Sequence, residues 1–254
     1  MRDFFNMDSP LFRTLGKLAD LMILNIVFIL FSIPIVTIGA SITGLNYVAL
    51  KMAENEEGYI VKGFWKSFKQ NFKQATCIWL IVLAVGIILV LDLLILKDAT
   101  GTAATVMRIL ILAVIVVYLM ITLYVFPVLC RFYNTVKGTL KNSLLISIAN
   151  FPYTILMLVI SIVPVIVTLY NGYTLWYGLL VWILAGFSGI TFANAHFMKK
   201  VLAKYMPKDE TEDEDPDHWE TEDLVPEDTE AAEAPALDMN TEETDDANVS
   251  DSEE

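Results

Sequence analysis

Residues 21–50 read LMILNIVFILFSIPIVTIGASITGLNYVAL and contain no charged side chain in 30 positions. A single helix of that length would extend about 45 Å, which exceeds the roughly 30 Å of a bilayer's hydrocarbon core. Pro34 lies near the middle of the stretch, where proline removes a backbone donor and clashes with the preceding helical turn. The stretch therefore predicts a hairpin of two membrane helices, over residues 14–33 and 39–53, that turns at residues 34–38.

Four further stretches are apolar over about 20 residues or more, which is the length that a helix needs to cross the bilayer. Backbone groups inside the hydrocarbon find no water to bond, so each stretch must be helical. The sequence thus predicts an all-α, polytopic transmembrane helix bundle with six spans. The four further spans are residues 75–96, 105–129, 143–169 and 176–198.

The chain has two compositions. Residues 1–206 contain 16 Lys and Arg against 8 Asp and Glu, whereas residues 207–254 contain one Lys against 22 Asp and Glu. The second part has few large apolar residues and cannot offset the entropy lost on ordering. We predict a transmembrane domain at residues 1–206 and a disordered acidic cytoplasmic tail at residues 207–254.

The lysines and arginines indicate the orientation, because they are retained on the cytoplasmic side of a membrane. Six spans with both termini inside place 15 of them inside and only Lys97 and Arg108 outside. Five spans with the N-terminus outside divide them 12 to 5. Six spans therefore fit better, and a re-entrant first hairpin stays open. The predicted location is the plasma membrane, with cytoplasmic N- and C-termini.

Residues 62–74 have the pattern of an amphipathic helix on the cytoplasmic side. Phenylalanines recur there every four residues, and lysines fall on the opposite face. Aromatic rings favour the acyl boundary and lysines favour anionic headgroups, so this helix is a candidate for lipid or partner contact. The candidate contact residues, with one from the next internal loop, are Phe64, Trp65, Lys66, Phe68, Lys69, Phe72, Lys73 and Arg131.

Three polar side chains within the spans are candidates for a ligand or ion path. Asp92 lies about one turn before Lys97, near the outer end of its helix, so solvation at the interface or pairing with Lys97 or Arg108 is the alternative to a functional role. Asn25 and Asn46 lie in the first hairpin, where amides also serve as hydrogen bonds between helices. A proton or ion carrier would normally carry more than one ionisable group at mid-membrane depth.

No sequence pattern for catalysis is present. The chain lacks H-E-x-x-H, a Walker-type Gly-Lys-Ser/Thr loop and a Gly-x-Ser-x-Gly elbow. We predict that the protein is not an enzyme and binds neither a cofactor, a metal nor nucleic acid. The sequence leaves the oligomeric state open.

Four runs resemble one protein family. They are LFRTLGKLAD at residues 11–20, SIPIVTIGAS at 32–41, FWKSFKQNFKQ at 64–74 and FPVLCRF at 126–132. They are similar to the bacterial YesL-like membrane proteins, over residues 1–204. The acidic tail departs from that family.

The resemblance implies a bacterial cell membrane and a domain of unknown function whose members are often encoded beside carbohydrate ABC transporters. This implies a non-enzymatic accessory or regulatory role in carbohydrate uptake, with ABC transporter subunits as partners in the lipid bilayer. The alternative is a small transporter or channel that acts alone, with Asp92, Asn25 or Asn46 facing a polar cavity.

Overall fold

The computed structural model describes residues 10–56 and 58–206. The chain divides into two units, Met1–Met206 and Pro207–Glu254. The acidic tail predicted to be disordered lies outside the described residues.

The described part of the chain is all-helical, which confirms the predicted fold class. Six of its helical segments are long and apolar enough to cross a membrane, as the sequence predicts. The helices are α1 (Pro10–Ser32), α2 (Ile38–Glu54), α3 (Ile60–Ile95), α4 (Thr102–Arg131), α5 (Val136–Ala149), α6 (Phe151–Leu169), α7 (Gly172–Val181) and α8 (Phe187–Leu202). A π-helical turn, Trp182–Gly186, joins α7 to α8 in one continuous segment.

The first hairpin turns at Pro34, as predicted. Pro34 is extended, at φ −75° and ψ 123°, and a short 3-10 turn at Ile35–Thr37 leads into α2. The Thr37 hydroxyl donates to the carbonyl oxygens of Phe31 at 2.7 Å and Pro34 at 2.8 Å. The Pro34 carbonyl oxygen also accepts from the Thr37 backbone N–H at 3.0 Å, so Thr37 closes the turn through both its backbone and its side chain.

α3 differs from the prediction of an interfacial helix followed by a separate span. It is one helix of 36 residues, which corresponds to a length of about 54 Å. Residues 64–85 contain neither proline nor glycine, so no helix-breaking residue lies near the boundary predicted between Gln74 and Ala75. The same helix face also continues to be buried, since Phe68, Ala75 and Ile78 all lie in the core. The polar and apolar halves therefore form a single rod.

The predicted span over residues 143–169 is also wrong at its start. The helix breaks at Asn150, whose φ of −118° and ψ of 42° are not helical, and α6 begins at the next residue with Pro152 in its first turn. Proline has no N–H to continue the preceding helix and suits the first turn of a new one. Only α6 retains the length of a span.

α2 is the centre of the bundle. Eleven of its 17 residues are buried, and it packs against α1, α3, α4 and α8. Small residues make this close contact feasible: the Phe64 backbone and ring lie directly over Gly44. By contrast, large apolar side chains on α3 beyond Leu80, on the first half of α4, and on α6 and α7 are widely exposed. Those surfaces suit contact with lipid.

We expect Gly39→Ala to lower the free energy of unfolding by about 1–3 kcal/mol, because a methyl group there would overlap the Ala75 carbonyl oxygen and Trp79 Cβ. Gly189→Ala is the matched control, since it also lies in a helix and has no neighbouring atom within 4 Å of the added carbon. The control should leave stability unchanged or raise it by less than about 1 kcal/mol. Unfolding of the purified protein by a denaturing detergent measures both. Equal effects would contradict the close α2–α3 contact.

Candidate functional site

Asn25 is buried and ties α1 to the last membrane segment. Its side-chain nitrogen donates to the carbonyl oxygens of Trp182 at 2.9 Å and Ile183 at 2.8 Å, and its oxygen accepts from the Ser188 backbone N–H at 3.0 Å. The Ser188 hydroxyl donates to the Leu21 carbonyl oxygen at 2.7 Å, which adds another hydrogen bond between the same two segments. A π-helical turn shifts the regular backbone hydrogen bonds by one residue. Asn25 therefore completes the bonding of the π-helical turn.

The other two polar candidates lie elsewhere. Asn46 is half-buried and donates to the Ile42 carbonyl oxygen in its own helix at 2.8 Å. Asp92 is near the far end of α3 and forms no ion pair with Lys97 or Arg108 among the described residues. Of the two alternatives to a functional role for Asp92, pairing is therefore not observed, and solvation at the interface stays a prediction.

Arg108 does not pair with Asp92 because its guanidinium group is already bonded to backbone carbonyl oxygens. Its guanidinium donates to the carbonyl oxygens of Leu96, Lys97 and Ala99, at 2.6–3.2 Å. It thereby caps carbonyls at the C-terminal end of α3, where positive charge is favoured. The structure does not bring Asp92, Asn25 and Asn46 to one site.

The lysine-bearing half of α3 carries an open groove with a volume of about 490 Å³. Trp65 is 48% exposed and Phe72 is 36% exposed, and both contribute apolar surface beside two exposed lysines. The residues that line the groove are Trp65, Phe68, Lys69, Gln70, Phe72 and Lys73. An aromatic and cationic groove of this kind suits an anion that carries an apolar portion.

Two of the predicted contact residues are almost entirely covered by protein. Phe64 is 0% exposed and Phe68 is 7% exposed, because both rings pack within 5.7 Å of the Phe31 ring, measured between centroids. The every-fourth-residue pattern that predicted an acyl-boundary face instead marks the face buried on α1 and α2. Lys66 is partly buried.

Arg131, also predicted to contact a partner, forms an ion pair with Glu54 instead. The pair joins the end of α4 to the end of α2, and each side chain is only about one-fifth exposed. Glu54 Oε2 and Arg131 Nε are buried without further protein partners. The two residues are 77 positions apart in the sequence, and no local pattern indicates the pair.

The same end of the bundle is fastened by further polar contacts. Lys17 donates to the Asn55 side-chain oxygen at 2.8 Å, and Lys199 donates to the Ala53 carbonyl oxygen. Cationic side chains of α1, α4 and α8 are therefore each bonded to the C-terminal end of α2.

The loop after α4 lies against α3. Gln70 donates to the Tyr133 hydroxyl at 2.7 Å, and Gln74 donates to the Asn134 carbonyl oxygen. Tyr133 is otherwise 84% exposed, and the next helix, α5, exposes Lys137 and Lys141. We call Tyr133, Lys137 and Lys141 the α5 surface. Within the described residues, no group of three or more His, Cys, Asp or Glu could hold a metal ion.

Comparison with known proteins gives one match. Residues 21–93 match a family model described as "Protein of unknown function, DUF624". No curated protein and no solved structure matches. The matched region begins within α1 and ends near the end of α3, so it contains the Pro34 hairpin and the groove. Residues 21–93 thus carry a DUF624 domain, the domain of the YesL-like membrane proteins of unknown function.

Proposed function

We propose that the protein is a non-enzymatic accessory or regulatory component of the membrane that works with a carbohydrate ABC uptake system. The observation that supports the accessory role is the bonding of its polar groups. Asn25 is fully bonded to backbone atoms of the last membrane segment, and Asn46 is bonded within α2. Asp92 lies on a third helix, in the last turn of α3. Amides that are engaged in packing contacts favour a packed scaffold over a conducting path.

The partner contact in this proposal is the α5 surface. Tyr133 is 84% exposed, and its neighbours on α5 add two exposed lysines and the exposed apolar side chains of Leu145 and Ile148. Interfaces are enriched in tyrosine at well-packed positions, and rim lysines select partners of negative charge. The family resemblance supports the link to carbohydrate uptake. A transporter subunit in this role would bind at the α5 surface.

Photo-crosslinking from position 133 tests the contact. We expect a photoreactive amino acid at Tyr133 to capture a subunit of a carbohydrate ABC transporter in native membranes. The same amino acid at Tyr173 is the control, since Tyr173 is equally exposed, at 83%, in the first turn of α7. Capture of unrelated membrane proteins alone, or equal capture from both positions, would refute the proposal.

A charge reversal gives an independent measurement. We expect Lys137→Glu with Lys141→Glu to reduce co-purified transporter subunit by about tenfold, which corresponds to about 1.4 kcal/mol from two rim charges. Lys97→Glu is the matched control, because Lys97 lies beyond the other end of α3 and is exposed. A loss that Lys97→Glu reproduces would indicate a general effect of charge on insertion.

The transporter alternative makes a different prediction. If the protein conducted an ion or a small solute alone, purified protein in proteoliposomes would show flux that Asp92→Asn abolishes. Under the accessory proposal we expect no flux above that of protein-free liposomes. Flux that depends on Asp92 would replace the accessory proposal with the alternative.

A further inference from the structure

The first twenty residues of α3 lie side by side with the segment of the chain from Ile35 to Val48, which includes most of α2. Near one end of α2, Val48 lies 3.6 Å from the position of a Cβ added at Gly63. Near the other end, the Trp79 indole N–H donates to the Ile35 carbonyl oxygen at 2.8 Å. Phe64 over Gly44 lies between these contacts. The two antiparallel segments must therefore have the same tilt relative to the bilayer and lie at the same depth.

The α3 partner segment is polar. Lys69 and Lys73 are exposed on it, together with Gln70, and Lys62 is exposed near its start. Lys62 and Lys73 are separated by 11 residues, or about 16 Å along a helix. Lysines spread over that distance cannot all reach one headgroup layer by extending their side chains, and a lysine left in hydrocarbon is strongly unfavourable. The lysines thus place this half of α3 outside the hydrocarbon.

α2 itself does not require lipid contact. It has 17 residues, which is about 25 Å of helix and shorter than the usual span. Its surface is largely covered by protein, including the buried polar side chains of Ser41 and Thr43. The apolar length that makes α2 a candidate span is therefore explained by its central position in the bundle.

We propose that α2 and the lysine-bearing half of α3 lie outside the hydrocarbon on one side of the bilayer instead of crossing it, and that Lys69 and Lys73, the lysines nearest to Ala75, bind the phosphates of anionic lipids in the adjoining headgroup layer. The groove between Trp65 and Phe72 supplies the complementary site. Aromatic rings concentrate at the headgroup level, and lysines near the surface of an anionic leaflet are attracted to it. The apolar residues of α3 from Ala75 onward then enter the hydrocarbon. This inference goes beyond the accessory role and uses residues outside the α5 surface.

Labelling of single cysteines tests the depth. The natural thiols at Cys77 and Cys130 are first replaced by alanine. Single cysteines are then placed at Val36, which is 51% exposed at the hairpin tip, at Thr100 between α3 and α4, and at Tyr133 after α4. A membrane-impermeant maleimide is applied to intact and to permeabilised cells.

Thr100 and Tyr133 lie on opposite sides of the bilayer in either arrangement, because α4 connects them. Under the proposal, Val36→Cys never labels together with Thr100→Cys. It labels under the conditions that label Tyr133→Cys or, because the hairpin tip lies beside Trp79 about one turn past Ala75, it resists both conditions. Labelling of Val36→Cys together with Thr100→Cys would mean that the hairpin crosses, and would overturn the proposal.

Lipid retention tests the ligand. Native mass spectrometry of the full chain, purified in a neutral detergent and titrated with phosphatidylglycerol, reports bound lipid. We expect Lys69→Gln with Lys73→Gln to weaken phosphatidylglycerol binding by about 30-fold, or about 2 kcal/mol, at about one kcal/mol for each lysine. Lys97→Gln should leave binding unchanged. Equal binding of phosphatidylglycerol by the unsubstituted protein and both variants, or equally strong binding of phosphatidylcholine, would refute the headgroup site. Neither result would bear on the partner contact proposed at the α5 surface.

Discussion

Replacing Arg131 with methionine should lower the free energy of unfolding by about 2–4 kcal/mol, because its ion pair with Glu54 is largely but not completely covered by protein. The methionine has a similar apolar stem, so the change removes mainly the charge. It would leave the Glu54 carboxyl group without its cationic partner at a site where one of its oxygens is already buried without a hydrogen bond. Breaking one half of a buried pair costs more than removing both halves, because the remaining charge has no compensation. Detergent-induced unfolding of the purified protein measures the loss.

Two comparisons make this result specific to the ion pair. The double variant Glu54→Gln with Arg131→Met should be closer to the unsubstituted protein than Arg131→Met alone, since it leaves no unpaired charge. Lys51→Met breaks a more exposed pair, with Glu56 at 3.2 Å, and should cost no more than about 1 kcal/mol. Strict additivity in the double variant would show that Glu54 and Arg131 do not act together.

The second large effect should come from Asn25→Leu. This change keeps the volume of the side chain but removes three hydrogen bonds to the π-helical segment. Hydrogen bonds between membrane helices are worth about 0.6 kcal/mol on average, and a buried group left unpaired adds about 1–3 kcal/mol. We therefore expect a loss of about 2–4 kcal/mol in stability, together with faster hydrogen exchange at residues 182–188.

Asn46→Leu is the matched control for Asn25→Leu. Asn46 is an asparagine in the other helix of the same hairpin, but its amide bonds only to Ile42 in its own turn. The control should cost about 0.6 kcal/mol or less and leave exchange at residues 182–188 unchanged. If the two variants behaved alike, the interhelical role of Asn25 would be contradicted.

Much of the fold could be predicted because membrane helices depend on local composition. Apolar length predicts the candidate spans, and Pro34 in an uncharged stretch predicts the hairpin, since both effects act within a few residues. The break at Asn150 had a local signal in Pro152, but the long apolar run outweighed it. The continuity of α3 had no such signal, because an interfacial helix and a buried one share the same period.

The site was less predictable because its contacts join distant parts of the chain. Asn25 and Trp182 are separated by 157 positions. Nothing in the sequence around either residue indicates the π-helical turn that they share. Phe64 and Lys69 illustrate the same limit on one helix. The phenylalanine period correctly indicates an apolar face, but only the positions of α1 and α2 show that protein covers Phe64 while Lys69 is exposed.

The central position of α2 also bears on biogenesis. α2 leaves the ribosome early, yet one of its packing partners, α8, is the last helix of the described chain. Until Phe187 and the residues after it are synthesised, the face of α2 that α8 covers has no permanent neighbour. Nascent chains that stop before α8 should consequently be recognised as incomplete and degraded by membrane proteases.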